Sequence, residues 1–234
     1  MKPIQRRASR YILALATASL SLASLGWAAD NSQSEVAQRL SDSTKVLNEV
    51  MSAPDKAIPA GVIQHSQCVA VFPSTIQVAV LVGAKHGKGF VTCRTSNGWS
   101  APAPLDISGG SWGAQLGGES IDLIVLVTDE KGLRQLESGK FRMGVETSVT
   151  AGPVGGHHMT LNADVVSYSR SRGVFAGTNI TGSSITEDES EARAMYGSAL
   201  PLSDILNGKA QPPSGSDSFL KTVENYAGET KAKN

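Results

Sequence analysis

The pattern of apolar and polar positions changes period once near residue 67 and again near residue 187. Val36, Leu40, Leu47, Val50 and Met51 recur at helical spacing, with Arg39, Asp42, Lys45 and Glu49 among them. Ser32 and Glu35 precede the run as a capping box. Together they predict an amphipathic helix of about 17 residues, stopped by Pro54. The charges on it balance, which suits a helix covering a core better than a basic helix lying on a membrane. A second short helix is expected from Ile58 or Pro59 to His65.

From there the pattern is that of strands. Cys68–Phe72, Ile76–Val82, Gly89–Arg94, Trp99–Ile107, Ser111–Leu116 and Ile121–Thr128 are predicted strands. Ile76–Val82 and Ile121–Val127 are nearly continuous apolar runs, expected at the centre of a sheet and buried on both faces. Asp129–Ser138 reads as a short helix with Leu133 and Leu136 inward and Gly139 as its stop. Strands resume at Val145–Thr150, Met159–Ser169 and Gly173–Ile180, and helical patterns close the chain at Glu187–Tyr196, Leu202–Leu206 and Ser216–Tyr226. Helices and strands are segregated more than alternated. The fold class expected is therefore α+β: a mainly antiparallel β-sheet core with an N-terminal amphipathic helix and short C-terminal helices. The 24 glycines and low aromatic content agree with strands and tight turns. No period repeats across the chain, which argues against a solenoid or propeller.

The first residues change the picture of where the protein works. Lys2, Arg6, Arg7 and Arg10 are followed by the uncharged, apolar Tyr11–Leu25, and Gly26-Trp-Ala28 offers small residues before a cut after Ala28. That order predicts a cleaved secretory signal peptide over 1–28. The apolar stretch is shorter than the roughly 20 residues of a spanning helix. Residues 29–208 are expected to form a single domain, and 209–234 a linker (Gln211-Pro-Pro-Ser-Gly-Ser), short helix and tail. The 21 basic and 21 acidic residues of the whole chain become 17 against 21 once the signal is gone, a net of −4. That balance argues against global attraction to nucleic acid or to an anionic membrane, and no nucleic acid is expected as a partner. Cys68 and Cys93 are expected to pair in an oxidising compartment; the alternative is two small buried apolar side chains.

Three stretches could carry chemistry. Gly109-Gly-Ser111-Trp-Gly113 fits the spacing of a hydrolase nucleophile elbow, with Asp122 or Asp129 and His157 or His158 following. An elbow needs a helix after the serine, and here a strand pattern follows, so a glycine-rich strand turn is expected and no catalytic residue is assigned. His157-His158 would need further metal ligands, such as His86 or Asp164. It reads as a solvated pair, and no metal or cofactor is expected. Gly83-Ala-Lys-His-Gly-Lys-Gly89 is read as an exposed basic hairpin between two strands. It lacks the hydroxyl and helix of a phosphate-binding loop.

Several stretches, taken in order, resemble one family. They are Cys68-Val-Ala-Val-Phe-Pro73, Gly87-Lys-Gly89, Gly98-Trp-Ser-Ala-Pro102, Gly109-Gly-Ser-Trp-Gly-Ala-Gln-Leu-Gly117, Ile121–Val127, Ala151-Gly-Pro-Val-Gly155, Ser167-Tyr-Ser-Arg-Ser-Arg-Gly-Val-Phe-Ala-Gly177 and Tyr196-Gly197. The order resembles a SYLF domain over about residues 35–207. The resemblance implies a non-enzymatic domain that binds phospholipid, with actin binding in some eukaryotic members. With the export signal it implies a periplasmic or secreted protein whose partner is a phospholipid or membrane surface, or an envelope protein. The second reading is a structural or protein-interaction module of the envelope without a small ligand.

An acidic chain needs local positive charge to meet anionic head groups. The sequence offers Lys85, His86 and Lys88, then Lys140 and Arg142, then Arg170 and Arg172, all at expected strand ends where side chains are exposed.

Overall fold

The structure, a computed structural model, describes residues 32–53, 58–143, 148–151, 164–171, 174–175 and 182–228. Helix α1 covers residues 32–52, and α2 is Ala60–His65. Strands β1, Cys68–Thr95, and β3, Ala103–Val127, pair antiparallel along most of their lengths and are joined through β2, Gly98–Trp99. Then come α3 (Glu130–Glu137), β4 (Lys140–Arg142), β5 (Ser148–Ala151), β6 (Val165–Ser171), β7 (Val174–Phe175) and β8 (Ser183–Glu187). The chain closes with α4 (Glu189–Tyr196), α5 (Leu202–Leu206) and α6 (Asp217–Ala227). The sheet runs β2-β1-β3-β6-β5, with β8 paired to β3 and β4, and β7 to β6. Every described pairing is antiparallel except that of β5 with β6. This is the α+β class and the mainly antiparallel sheet that the sequence predicts.

The expected division into short hairpins is overturned. Three predicted strands merge into the 28 residues of β1, and three more contribute to the 25 of β3. The glycines of Gly83–Gly89 and Gly109-Gly110 lie inside these strands, paired across the ribbon as Gly83↔Ser111, Ala84↔Gly110 and Lys85↔Gly109. Straight, β1 would span about 90 Å. Instead it folds back on itself: the Cα atoms of Cys68 and Cys93, 25 positions apart, lie 4.0 Å from each other and the two residues are bonded as a disulfide. The Arg94 N–H donates to the Gln67 carbonyl at 2.8 Å, and the Gln67 N–H to the Val127 carbonyl at 2.6 Å, so the tail of β1 runs beside its own head.

Glycine does something other than turn the chain here. At Gly89 a Cβ would come to 2.8 Å from the Cα of Phe72 and would run into the Val71 carbonyl. At Gly87 it would fall on the side chain of Thr75. The two halves of β1 can cross only because these positions lack side chains. The register shifts between Phe72 and Thr75 and between Val80 and Val82 supply the curvature. At the first shift Ser74 takes φ +52°, and its N–H donates to Asp122 at 3.0 Å. The disulfide then closes a loop worth about 3 kcal/mol in chain entropy.

Two cores result. Inside the folded ribbon Ala70, Phe72, Val91, Leu105, Ile107, Leu123 and Val125 meet Phe141 and Ile185, capped by Leu136 of α3 and Leu202, Ile205 and Leu206 of α5. On the outer face Val69, Val71, Phe90, Ile124, Leu126, Val166 and Tyr168 lie under α1, α2 and α6, which contribute Leu40, Leu47, Ile63, Phe219 and Val223. Leu133 of α3 packs against the inner core but is only half-buried. Helix α6, placed outside the domain by the sequence, is thus part of its core. Arg94 holds it there: the guanidinium stacks 4.5 Å from the Trp99 ring and donates to the carbonyls of Gln64, Ser66, Ala227 and Gly228. One cation thereby sits at the negative ends of both α2 and α6.

The crossing predicts a contrast between two glycine substitutions. Gly89→Ala should cost more than about 3 kcal/mol, since backbone must move. Gly61→Ala, in α2 with open space around it, should be neutral or stabilise by up to about 1 kcal/mol. Urea denaturation of the two variants checks this; equal stability of the two would mean that β1 does not cross itself there.

Candidate functional site

The helical layer covers only part of the ribbon's outer face. Outward-facing Val69 and Val71 lie beneath it; past the first register shift, Ile76 and Val78 follow on the same face and are 58% and 50% exposed. The expectation of a doubly buried central strand at Ile76–Val82 is therefore overturned at its two described outward positions. It holds for Ile121–Val127, where six of the seven side chains are buried and Asp122 is half-buried. On the other arm of β1, Phe90 is covered, Lys88 is half-buried and His86 and Ala84 are exposed.

Ion pairs mark the edge of the cover on both arms. On one, Arg170 of β6 bonds Asp122 of β3 at 2.8 Å and Glu49 of α1 at 2.5 Å. On the other, Arg39 of α1 pairs with Glu191, and Lys88 pairs with Asp188 and lies 3.8 Å from Glu191. Burial opposes the charge on Asp188, yet Lys88, Ser190 and the Glu191 N–H hold its carboxyl well below the usual range. Burial pushes Glu191 up, partly offset by Arg39 and reinforced by Asp188. Burial and the Asp188 charge also raise Asp106, against Lys88 and His86. This network ties α1 and α4 to the sheet. Among the described residues, no group of three or more His, Cys, Asp and Glu is placed to hold a metal ion.

Beyond that edge, β1, β3, β8 and β4 present an open polar face. His86 pairs with Ser108, Ser108 with Ser184, and Ser184 with Arg142. Residues directly opposite in an antiparallel ladder share a face, so these four form one row. The next row in register is Lys88, Asp106, Thr186 and Lys140. The alternate row, Gly87, Ile107, Ile185 and Phe141, is buried in the inner core.

The seven basic residues expected at a surface divide accordingly. His86 and Arg142 are exposed. Lys140 lies in register with Thr186. Lys88 and Arg170 are tied up in the ion pairs above. Arg172 lies outside the described residues, as do His157, His158 and the segment 1–28. Lys85 is the clear correction. It is on the inner face, 4% exposed, because β1 continues straight through the supposed hairpin and turns that side chain under the ribbon. Burial lowers its pKa to about 8. Ser111 lies within β3, opposite Gly83, and not at a strand-to-helix turn. Sequence reasoning missed Ser108 and Ser184. The short polar β8, Ser-Ser-Ile-Thr-Glu, reads as a loop, and only the alternate burial of Ser183 and Ile185 reveals it as a strand.

Together these features define a class: a disulfide-closed, glycine-crossed sheet module that offers a surface, half clothed by helices. The comparisons with known proteins give it a family. Residues 108–226, just over half of the chain, match the family described as Ysc84, Las17-binding protein actin regulator. Protein YSC84 of Saccharomyces cerevisiae is 30% identical over 189 residues, covering 77% of this chain and 40% of that protein. The human SH3 domain-containing YSC84-like protein 1 is 30% identical over 182 residues, covering 75% of this chain and 53% of that protein. The yeast LAS seventeen-binding protein 3 is 29% identical over 189 residues, 77% of this chain and 41% of its own. The chain belongs to the Ysc84, or SYLF, family, and spans about half the length of these relatives.

The position of Lys85 makes a pH prediction. Below about pH 8 its charge is present in both states and is paid for by burial in the folded one. Between about 8 and the ordinary value of 10.5 the folded chain has released a proton that the unfolded chain keeps, so stability rises with pH. The melting temperature should increase from pH 7.5 to 10, and Lys85→Met should flatten that rise. A melting temperature that falls across the window in wild type would contradict the buried placement.

Proposed function

We propose that this is an exported, non-enzymatic module that binds phospholipid at the surface of the bacterial envelope. The observation that carries the reading is the outward, uncovered pair Ile76 and Val78 on a strand whose earlier outward residues Val69 and Val71 are buried. Large apolar side chains exposed where a helical layer stops are suited to apolar contact with a partner, and the exposed His86 stands on the other arm of the same strand. The family description names binding and regulation, which agrees with a surface that recruits a partner. The second reading, a protein-interaction module without a lipid ligand, is favoured by the printed description of the family as Las17-binding.

Vesicle sedimentation separates the two. Protein starting at Ala29 should bind vesicles containing phosphatidylglycerol, and Ile76→Asp with Val78→Asp should weaken binding at least about tenfold, the loss expected from withdrawing two aliphatic side chains from an apolar layer. Absence of wild-type binding at low salt would favour the protein-interaction reading.

Export has its own check. Intact mass of protein recovered from the periplasm should correspond to a chain beginning at Ala29. A mass retaining Met1–Ala28, or carrying acyl chains, would refute a released protein.

A further inference from the structure

We propose that the row His86–Ser108–Ser184–Arg142 is a seat for the phosphate group of an anionic phospholipid head group. The proposal rests on the lipid-binding reading and places its polar half on named residues. The row crosses four strands in register, so its ends stand about 14 Å apart at the usual strand spacing. That gap is wide enough for a phosphate between two long side chains. At the ends are a histidine and an arginine, both exposed. Between them Ser108 is exposed and Ser184 half-buried, which supplies two hydroxyl donors on the floor. On the side away from α4, Gly110 and Gly182 are exposed and carry no side chain to obstruct a ligand.

Charge complementarity decides between this row and its neighbour. Lys88 already faces Asp188, Glu191 and Asp106, so its charge is spent inside the protein. Arg142 has no ion-pair partner among the described residues. Arginine also matches a phosphate with two parallel N–H donors. Asp106, one row away, repels an anion, and its charge is countered by Lys88 and His86. Arg142 thus gives the row a positive charge that no described carboxylate takes up, with His86 and two hydroxyls beside it as hydrogen-bonding groups. The binding it supports should fall with added salt.

Each Lys or Arg beside an anionic leaflet contributes about fivefold in affinity. Arg142→Glu removes one such cation and adds an anion, so His86→Glu with Arg142→Glu should weaken binding to phosphatidylglycerol vesicles by at least about 25-fold at 0.1 M salt, on the order of two such contributions. Lys221→Glu, an exposed position on α6 and outside the row, should leave binding within about twofold, since it tests net charge alone. All variants are at exposed positions and should keep the wild-type melting temperature. Equal losses in the Lys221 variant and the double variant would overturn the seat in favour of net charge. Loss in the Ile76/Val78 variant with none in the His86/Arg142 variant would overturn the seat and leave the lipid reading standing. Absence of wild-type binding to vesicles and to glycerol 3-phosphate alike would overturn both. Arg142-dependent binding of glycerol 3-phosphate without vesicle binding would show a soluble phosphate ester as the ligand and overturn the lipid source.

Discussion

Everything in this fold depends on one long strand crossing itself. β1 leaves Cys68 and returns to it at Cys93, and β3 follows the whole way as its antiparallel partner. An open two-stranded ribbon has no inside and is marginal in water. Folded in half, the same ribbon encloses Phe72, Leu105, Ile107 and Leu123. The crossing requires a close approach to the Thr75 side chain at Gly87 and backbone against backbone at Gly89, and curvature at two register shifts. The disulfide joins the ends after both conditions are met. Its role is to disfavour the open ribbon, while the glycines make the closed one sterically allowed.

The crossing also explains why the helices sit where they do. At the closed end the head and tail of β1 lie side by side, so Val69, Val71 and Phe90 form one outward apolar surface that α1, α2 and α6 cover. Towards the bend the helical layer stops, and Ile76, Val78 and His86 are exposed. Ion pairs at Arg170 and at Lys88 draw the boundary, each linking the sheet to α1 directly or through Glu191. These pairs are partly buried and satisfied at several points, so they fix position more than they add stability. The exposed face beyond them is a consequence of the topology, and it is the part of the molecule free to meet a partner.

Much of the fold was legible in the sequence, and the errors share one cause. The amphipathic run from Val36 to Met51, the stop at Gly139 and the span Leu202–Leu206 were readable because periodicity and caps are local signals. The joined strands were not, because Gly83–Gly89 and Gly109-Gly110 carry the composition of turns while serving as crossing points. Composition reports that a glycine is needed; only the tertiary neighbour says whether the reason is φ or space. The same misreading moved Lys85 from the inner face to an imagined loop. It also hid the row of His86, Ser108, Ser184 and Arg142, whose members are scattered over 98 sequence positions and meet only through the pairing of β1 with β3, β3 with β8 and β8 with β4.

A site of this kind asks different things of a fold than catalysis does. Proton transfer needs a few groups held within hydrogen-bond distance in a water-excluding cleft. Ionisable groups whose pKa values are shifted here serve other ends: Asp188 caps α4 and holds Lys88, Glu191 anchors Arg39, and Tyr168 lies in the outer core. The groups left facing outward are hydroxyls, an arginine, a histidine and two aliphatic side chains on a sheet stiffened by its own closure. A rigid sheet holds such side chains at fixed spacing without ordering them on contact, which spares the entropy that flexible loops lose on binding. That is the physical case for recognition by a surface, and it follows from the crossing of β1.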